Sequence, residues 1–406
     1  MPKLTRLKVD GEFPICLYID ESKLPISIKE LIDVIGENKP VSFSGQRTPI
    51  YTLSNGLYLR AKGFDYQRRN YQEMQEHVLD TNQPLTIERA KQLGLQMQFF
   101  ERPIPTRFKE ESGHHYQQIP QEDGTFKKRL SQSRPIGAMT LDKVLVEYAS
   151  HLWARNQNLP VDMPLGFAEF PEFGFKEKGK SIPCGGFLAI IPTHYDLRVP
   201  EIVYHLPHSE ELQNLYQHND NLVLLVQSLY LAGNILRNFH KNNRTLTNCH
   251  GMNLKVGLVQ DDFTARMQSD SGLPEISICD LDGTEYCQNQ NVLLASIIND
   301  LEEMLLVPNA FLTTVKPESY IRSKKDDDQR YMFDLTFRIV SELDLNEDKN
   351  YPKKAFYAGY LNLQPDHKLL PYLPEQPFQD ILRIKKPITE IQNPLLDLLR
   401  KLYSSI

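Results

Sequence analysis

Two stretches place polar residues at the ends of apolar runs. In CHGMNLKVGLV, residues Cys249 to Val259, His250 and Asn253 lead into the run; in ISICDLDGTEY, residues Ile276 to Tyr286, the run breaks off at Asp280 and Asp282. Lys62, in the segment YLRAKGF, and Glu147, in LDKVLVEYASHLWARNQ, complete a set of four with Asn253 and Asp280. An ammonium neutralises phosphate oxygens and a carboxylate holds that ammonium in place. An amide oxygen beside a carboxylate suits magnesium, a hard ion that prefers oxygen ligands. These are the parts that a nucleotide site requires.

Taken singly, the residues have plainer readings. Lys62 is also what a solvated strand lysine looks like, Glu147 what a helix surface charge looks like, and Asn253 a residue capping a strand or turn. Asp280 is harder to dismiss. It directly follows Ile276, Ile278 and Cys279 at the mouth of a core strand, where an unpaired carboxylate would cost several kcal/mol. Asp280 therefore needs a partner, and Lys62 or a magnesium ion would supply one.

The elements that must carry these groups follow from the pattern. Residues 1 to 65 read as β-rich, with FPICLYI, PVSFS, PIYTL and GLYLRAKGF as strands and Asn55-Gly56 as a hairpin turn that delivers Lys62. Polar helices are expected over Tyr71 to Leu79 and Thr86 to Phe100. A loose insertion follows, carrying His114 and His115 as loop histidines and the basic residues Lys127, Lys128, Arg129 and Arg134. The spacing of Leu141, Val144, Leu145, Tyr148, Ala149 and Leu152 predicts a helix over 141–157 with those residues on one apolar face and Glu147 beside it. Two strands, GFAEF and GGFLAIIP, lead to a hinge near Pro192 to Pro200. Helices are then expected over Ser209 to Tyr216, Asn221 to His240, Asn291 to Leu306, Asp334 to Leu343 and Leu395 to Tyr403. The fold class is α+β in two lobes: residues 1–195, β-rich with an insertion about 66–135, and residues 196–406, helical.

Composition bounds the function. The 406 residues carry a net charge of -6 with 24% charged and 40% hydrophobic residues, which gives no electrostatic pull toward nucleic acid. Neither an export signal nor a membrane span is expected, which predicts a cytoplasmic protein, in its own cell or delivered into another. Cys16, Cys184, Cys249, Cys279 and Cys287 are odd in number and lack CxxC spacing, against a disulfide framework or structural zinc site.

In order and surroundings these residues resemble the protein-kinase-like superfamily over roughly residues 40 to 310. YLRAKGF resembles its third strand with the lysine, the Glu147 helix its αC helix, CHGMN its catalytic loop, ISICDLDG its metal-binding strand end, and Asp300 the aspartate of its αF helix. The resemblance implies a protein-kinase-like two-lobed fold binding ATP and Mg2+. Lys62 would contact phosphates, Glu147 position Lys62, and Asn253 with Asp280 bind magnesium. His250 would orient its loop, and Asp282 would be a second metal ligand or the nearest available base. The sequence departs from the family in lacking a Gly-rich phosphate loop and in placing Met252 where an aspartate would accept the hydroxyl proton. It is similar on those points to the selenoprotein-O-like branch, through Lys62-Gly63, and to the siderophore-synthetase branch, through HGMN with DLDG. The implied reactions are phosphoryl or AMP transfer to a protein or small-molecule acceptor, or ATP-dependent carboxylate-amine ligation. A pseudokinase that only binds nucleotide or a partner is the alternative.

Overall fold

The computed structural model describes residues 3–9, 14–37, 39–44, 48–64, 108–109, 114–120, 126–131, 139–177, 180–199, 202, 206, 209–246, 253–288, 351–362 and helical positions between 293 and 304. Over these residues the chain is a mixed α+β structure built on an antiparallel sheet. The first strands are β1 (Thr5–Val9), β2 (Ile15–Ile19), β3 (Ser42–Ser44), β4 (Thr48–Thr52) and β5 (Tyr58–Lys62). Three more, β6 (Phe108–Lys109), β7 (His114–Pro120) and β8 (Phe126–Ser131), form a separate small sheet. Then come β9 (Met139–Thr140), β10 (Met163–Glu177) and β11 (Lys180–Ile191). The main sheet runs β1-β2-β10-β11-β5-β4-β3, with β9 also paired to β11.

The β4–β5 hairpin turns at Asn55-Gly56, where Gly56 takes φ +82° and its N–H donates to Leu53 O. The turn sets the β4–β5 register, Tyr51 opposite Leu59, and on its other edge β5 pairs with β11, Lys62 opposite Phe187. Immediately after Lys62 the chain bends at Gly63, at φ +93°; a Cβ there would run into the carbonyl oxygen of Gly185. Glycine at that position lets β5 end on its lysine without pushing β11 away.

Two helices lie against the sheet: α1 (Ile28–Glu37) and α2 (Leu141–Asn156). Helix α1 falls within the stretch expected to be β-rich, where no helix was expected; it buries Leu31 and Ile35, one helical turn apart, on the sheet core. Helix α2 spans the expected residues, but its buried face is rotated from the one that apolar spacing predicts. Leu145 is exposed, whereas Glu147, Ser150 and His151 are buried with Val144, Tyr148 and Ala154. The loose reading of the insertion is corrected for its described parts. His114 and His115 lie on β7, and Lys127, Lys128 and Arg129 on β8, with Tyr116 opposite Leu130 and Gln118 opposite Lys128. Polar strands of this kind pair through backbone hydrogen bonds, which composition does not reveal. The expected helices over 71–79, 86–100, 334–343 and 395–403 lie outside the described residues.

Past the hinge stretch, α3 (Glu210–Tyr216) is capped by Ser209, and α4 (Asn221–Lys241) by Asp220, whose side chain accepts from Leu222 N and Val223 N. Between 210 and 241 the chain is long and apolar enough to cross a bilayer, but 83% of its most apolar window is buried inside the protein, as in a core helix. The remaining strands are short: β12 (Arg244–Thr245), β13 (Leu254–Val256), β14 (Leu258–Val259), β15 (Ala265–Arg266), β16 (Ile276–Ile278) and β17 (Glu285–Tyr286). Helix α5 (Tyr351–Leu361), which the sequence reading missed, crosses α4 at two glycines. A Cβ at Gly359 would overlap the Tyr230 carbonyl oxygen, and one at Gly233 would overlap that of Phe356. The backbones meet there with no side chain between them. Gly359→Ala is therefore expected to destabilise the fold by about 1–3 kcal/mol through overpacking, measured as a lower urea midpoint. An unchanged midpoint would mean that the helices separate freely.

Candidate functional site

Strands β13 and β16 pair antiparallel, Leu254 opposite Ile278, and the Cys279 N–H donates to Asn253 O at 3.0 Å. This pairing brings the two polar run-ends together: Asn253 just before β13, Asp280 just after Cys279. Asp280 has a left-handed backbone, φ 65° and ψ 51°, uncommon for a residue with a side chain though tolerated by aspartate. It leads into a single 3₁₀ turn, Leu281–Gly283, whose Asp282 carbonyl accepts from Lys143 Nζ of α2 at 3.0 Å.

Lys62, Glu147 and Asp280 converge. The Lys62 ammonium donates to Glu147 Oε2 at 2.6 Å and is ion-paired with Asp280 Oδ1. Glu147 is wholly buried, and its other oxygen, Oε1, has no hydrogen-bond partner. Ligand oxygens of Glu147, Asp280 and Asp282 all lie within 4.8 Å of one another. Burial opposes the charged form of Lys62, but Asp280, Glu147 and Asp282 outweigh it and raise its pKa. Burial likewise pushes the Glu147 carboxyl up, to about 7; Lys62 pulls it back, and the two aspartates add to the rise. Of the residues singled out in the sequence, His250 lies outside the described ones, together with Met252.

One turn beyond Glu147, His151 donates from Nδ1 to the Glu147 carbonyl at 2.8 Å and packs at a tilt against the Phe187 ring. Burial pushes its pKa down to about 4, so the ring is neutral and Nε2 is a buried lone pair without a partner. Trp153 packs its ring on Phe239 of α4 with the Arg244 guanidinium over its other side, joining α2 to the helical core.

A second charged cluster, which sequence reasoning missed, adjoins the first. Arg60, two residues before Lys62 and so on the same face of β5, donates to Asp162 Oδ2 at 2.8 Å and lies 3.3 Å from Asp196 Oδ2. Lys255, two residues after Asn253, reaches Asp162 at 2.7 Å and Asp196 at 2.5 Å. All four side chains are buried, and two cations face two anions. Burial alone would raise the pKa of both aspartates, but Lys255 and Arg60 hold them below the usual carboxylate range. The cluster clasps β5, the entry to β10, the hinge stretch and β13 together. Through Asp196 it includes part of the stretch 192–199.

No protein-family model matches this chain, and no curated protein matches it in sequence. The functional reading therefore rests on the geometry above.

Proposed function

We propose that the chain is an atypical kinase-like transferase dependent on ATP and magnesium, with a protein-kinase-like two-lobed fold, transferring a phosphoryl or AMP group to a protein or small-molecule acceptor. One observation carries the reading: a buried lysine at the end of a sheet strand is held between a helix glutamate and an aspartate that ends a strand of the helical half. Such an ammonium is anchored where a phosphate oxygen could take over one of its partners. Asp300 adds support, since it is buried and its Oδ2 accepts from the Leu246 N–H at 2.7 Å and from His240. It thereby ties the end of α4 and Leu246 to the helical positions between 293 and 304.

In this reading Lys62 binds phosphate, Glu147 and Asp280 aim it, and Asn253 with Asp280 and Asp282 offers oxygen ligands for magnesium. Magnesium would supply charge neutralisation of the phosphates. The donor set fits, because carboxylate and amide oxygens are what a hard ion takes. A bare triphosphate is disfavoured, since three carboxylates gather beside the Lys62 ammonium it would bind.

Thermal unfolding with and without Mg-ATP tests the reading. At about 100 times the dissociation constant the nucleotide should stabilise the wild type by about 2.7 kcal/mol, and Asp280→Ala should lose that shift. If the wild type gains nothing, the nucleotide reading fails. ATP labelled separately at the α- and γ-phosphates then identifies the reaction: α-label on the acceptor means AMP transfer and γ-label means phosphoryl transfer. Binding without transfer favours a pseudokinase, a reading supported by Met252 standing where a base would be. Pyrophosphate released only when a carboxylate and an amine are both supplied means a ligase.

A further inference from the structure

We propose that Glu147, Asp280 and Asp282 together hold one divalent cation in the absence of any nucleotide, so that Glu147 is a metal ligand as well as the anchor of Lys62. The inference rests on the metal-dependent reading above and deepens it, from an ion brought in by a nucleotide to one resident in the protein.

The first argument is spacing. At metal–oxygen distances of about 2.1–2.4 Å, two oxygens on one ion stand no more than about 4.8 Å apart. The three carboxylates meet that limit as they stand. The second is the unused oxygen. Glu147 is wholly buried; Oε2 takes the Lys62 ammonium, but Oε1 has no donor. A buried acceptor left bare is costly, and a cation satisfies it without competing for Lys62.

The scaffold already holds the ligands. Helix α2 carries both Glu147 and Lys143, and Lys143 fixes the turn bearing Asp282 through its carbonyl. Asp280 is held in a left-handed conformation at the start of that turn. Little ordering is left for the ion to impose, which is what makes a site bind before its substrate does. An all-oxygen set with no cysteine or histidine selects Mg2+ or Mn2+ over zinc or copper.

The test is titration of Mn2+ into the full chain without nucleotide, with free Mn2+ read by electron paramagnetic resonance. One Mn2+ per chain is expected. Glu147→Gln and Asp282→Asn should each weaken it at least tenfold, while Asp261→Asn, an exposed carboxylate paired with Arg155, leaves it unchanged. Asp282 is only partly buried, so its variant decides the matter if Glu147→Gln does not fold. No uptake without nucleotide, or uptake indifferent to both substitutions, overturns the proposal. Uptake that appears only with ATP overturns this resident site and leaves the transferase reading standing. Uptake dependent on Glu147 and Asp282 with no thermal response to Mg-ATP supports the site and removes the nucleotide.

Discussion

Asp162→Ala is expected to lower folding stability by about 3–5 kcal/mol, the usual consequence of removing one partner from a buried ion pair. Asp162 receives Arg60 through Oδ2 and Lys255 through both oxygens, and none of the three has appreciable contact with water. Without it, two buried cations share Asp196 alone. Urea unfolding gives the measurement, with Asp261→Asn as the contrast: that pair with Arg155 is exposed on its aspartate side and should change stability by less than about 1 kcal/mol. The acid limb supplies a second readout. Asp162 and Asp196 have depressed folded pKa values, so their contribution is present above the unfolded value of about 3.9 and is lost as pH falls through the folded one. The wild type should therefore gain stability as pH rises across that window, and Asp162→Ala should gain less. Equal acid limbs in the two proteins would mean that the cluster is not ionised.

The two clusters are arranged on one period. Lys62 and Arg60 share a face of β5, and Asn253 and Lys255 are spaced the same way across the entry to β13. The strand alternation that aims Lys62 at Glu147 and Asp280 aims Arg60 at Asp162 and Asp196. What positions the candidate site therefore also ties it to the hinge stretch through Asp196. The clasp holds the sheet to β13 through charges on both sides, so the relative placement of Lys62 and Asn253 depends on it.

The parts of this arrangement that the sequence reveals are those with local signatures. Asn55-Gly56 marks the hairpin, a helical spacing marks α2, and Asp280 stands out because a carboxylate follows Ile276, Ile278 and Cys279. The Arg60 cluster has no such signature. Its members lie 102 residues apart for Arg60 and Asp162, and 59 for Lys255 and Asp196, and each alone resembles a solvated charge. Long-range pairing brings them together: β13 with β16, and the bridges of Val161 to Ile278 and of Arg198 to Lys255 beside Asp162 and Asp196. The buried face of α2 was misread for a related reason. Apolar spacing counts Leu145 and leaves out Glu147, Ser150 and His151, yet Glu147 is buried because Lys62 meets it. Helix α5 escaped because Pro352 and Gly359 look like breakers; Pro352 lies in the first turn, where no intrahelical donor is lost, and Gly359 is the point of contact with α4.

Lys62→Met should be as damaging as the loss of Asp162, about 3–5 kcal/mol at pH 8, but its deficit should develop in a higher pH window. The ammonium is the hydrogen-bond partner of Glu147 Oε2, and methionine keeps its bulk while removing its charge. Glu147 has a folded pKa of about 7 even with Lys62 present, well above its unfolded value of about 4.3, and loss of the ammonium raises it further. A carboxyl with a raised folded pKa contributes fully below the unfolded value and loses that contribution as pH rises through the folded one. The folded variant thus binds more protons than the unfolded chain across this range, and its stability falls with rising pH more steeply than that of the wild type. The deficit should be small near pH 5 and reach its full size by pH 8, in unfolding curves taken with EDTA so that no cation replaces the ammonium. Adding Glu147→Gln to Lys62→Met should recover part of the loss at pH 8, because Glu147 then carries no charge, while the partly exposed Asp280 still lacks the Lys62 ammonium. A deficit of the same size at pH 5 and pH 8 would assign the effect to packing and remove the buried Lys62–Glu147 ion pair as its cause.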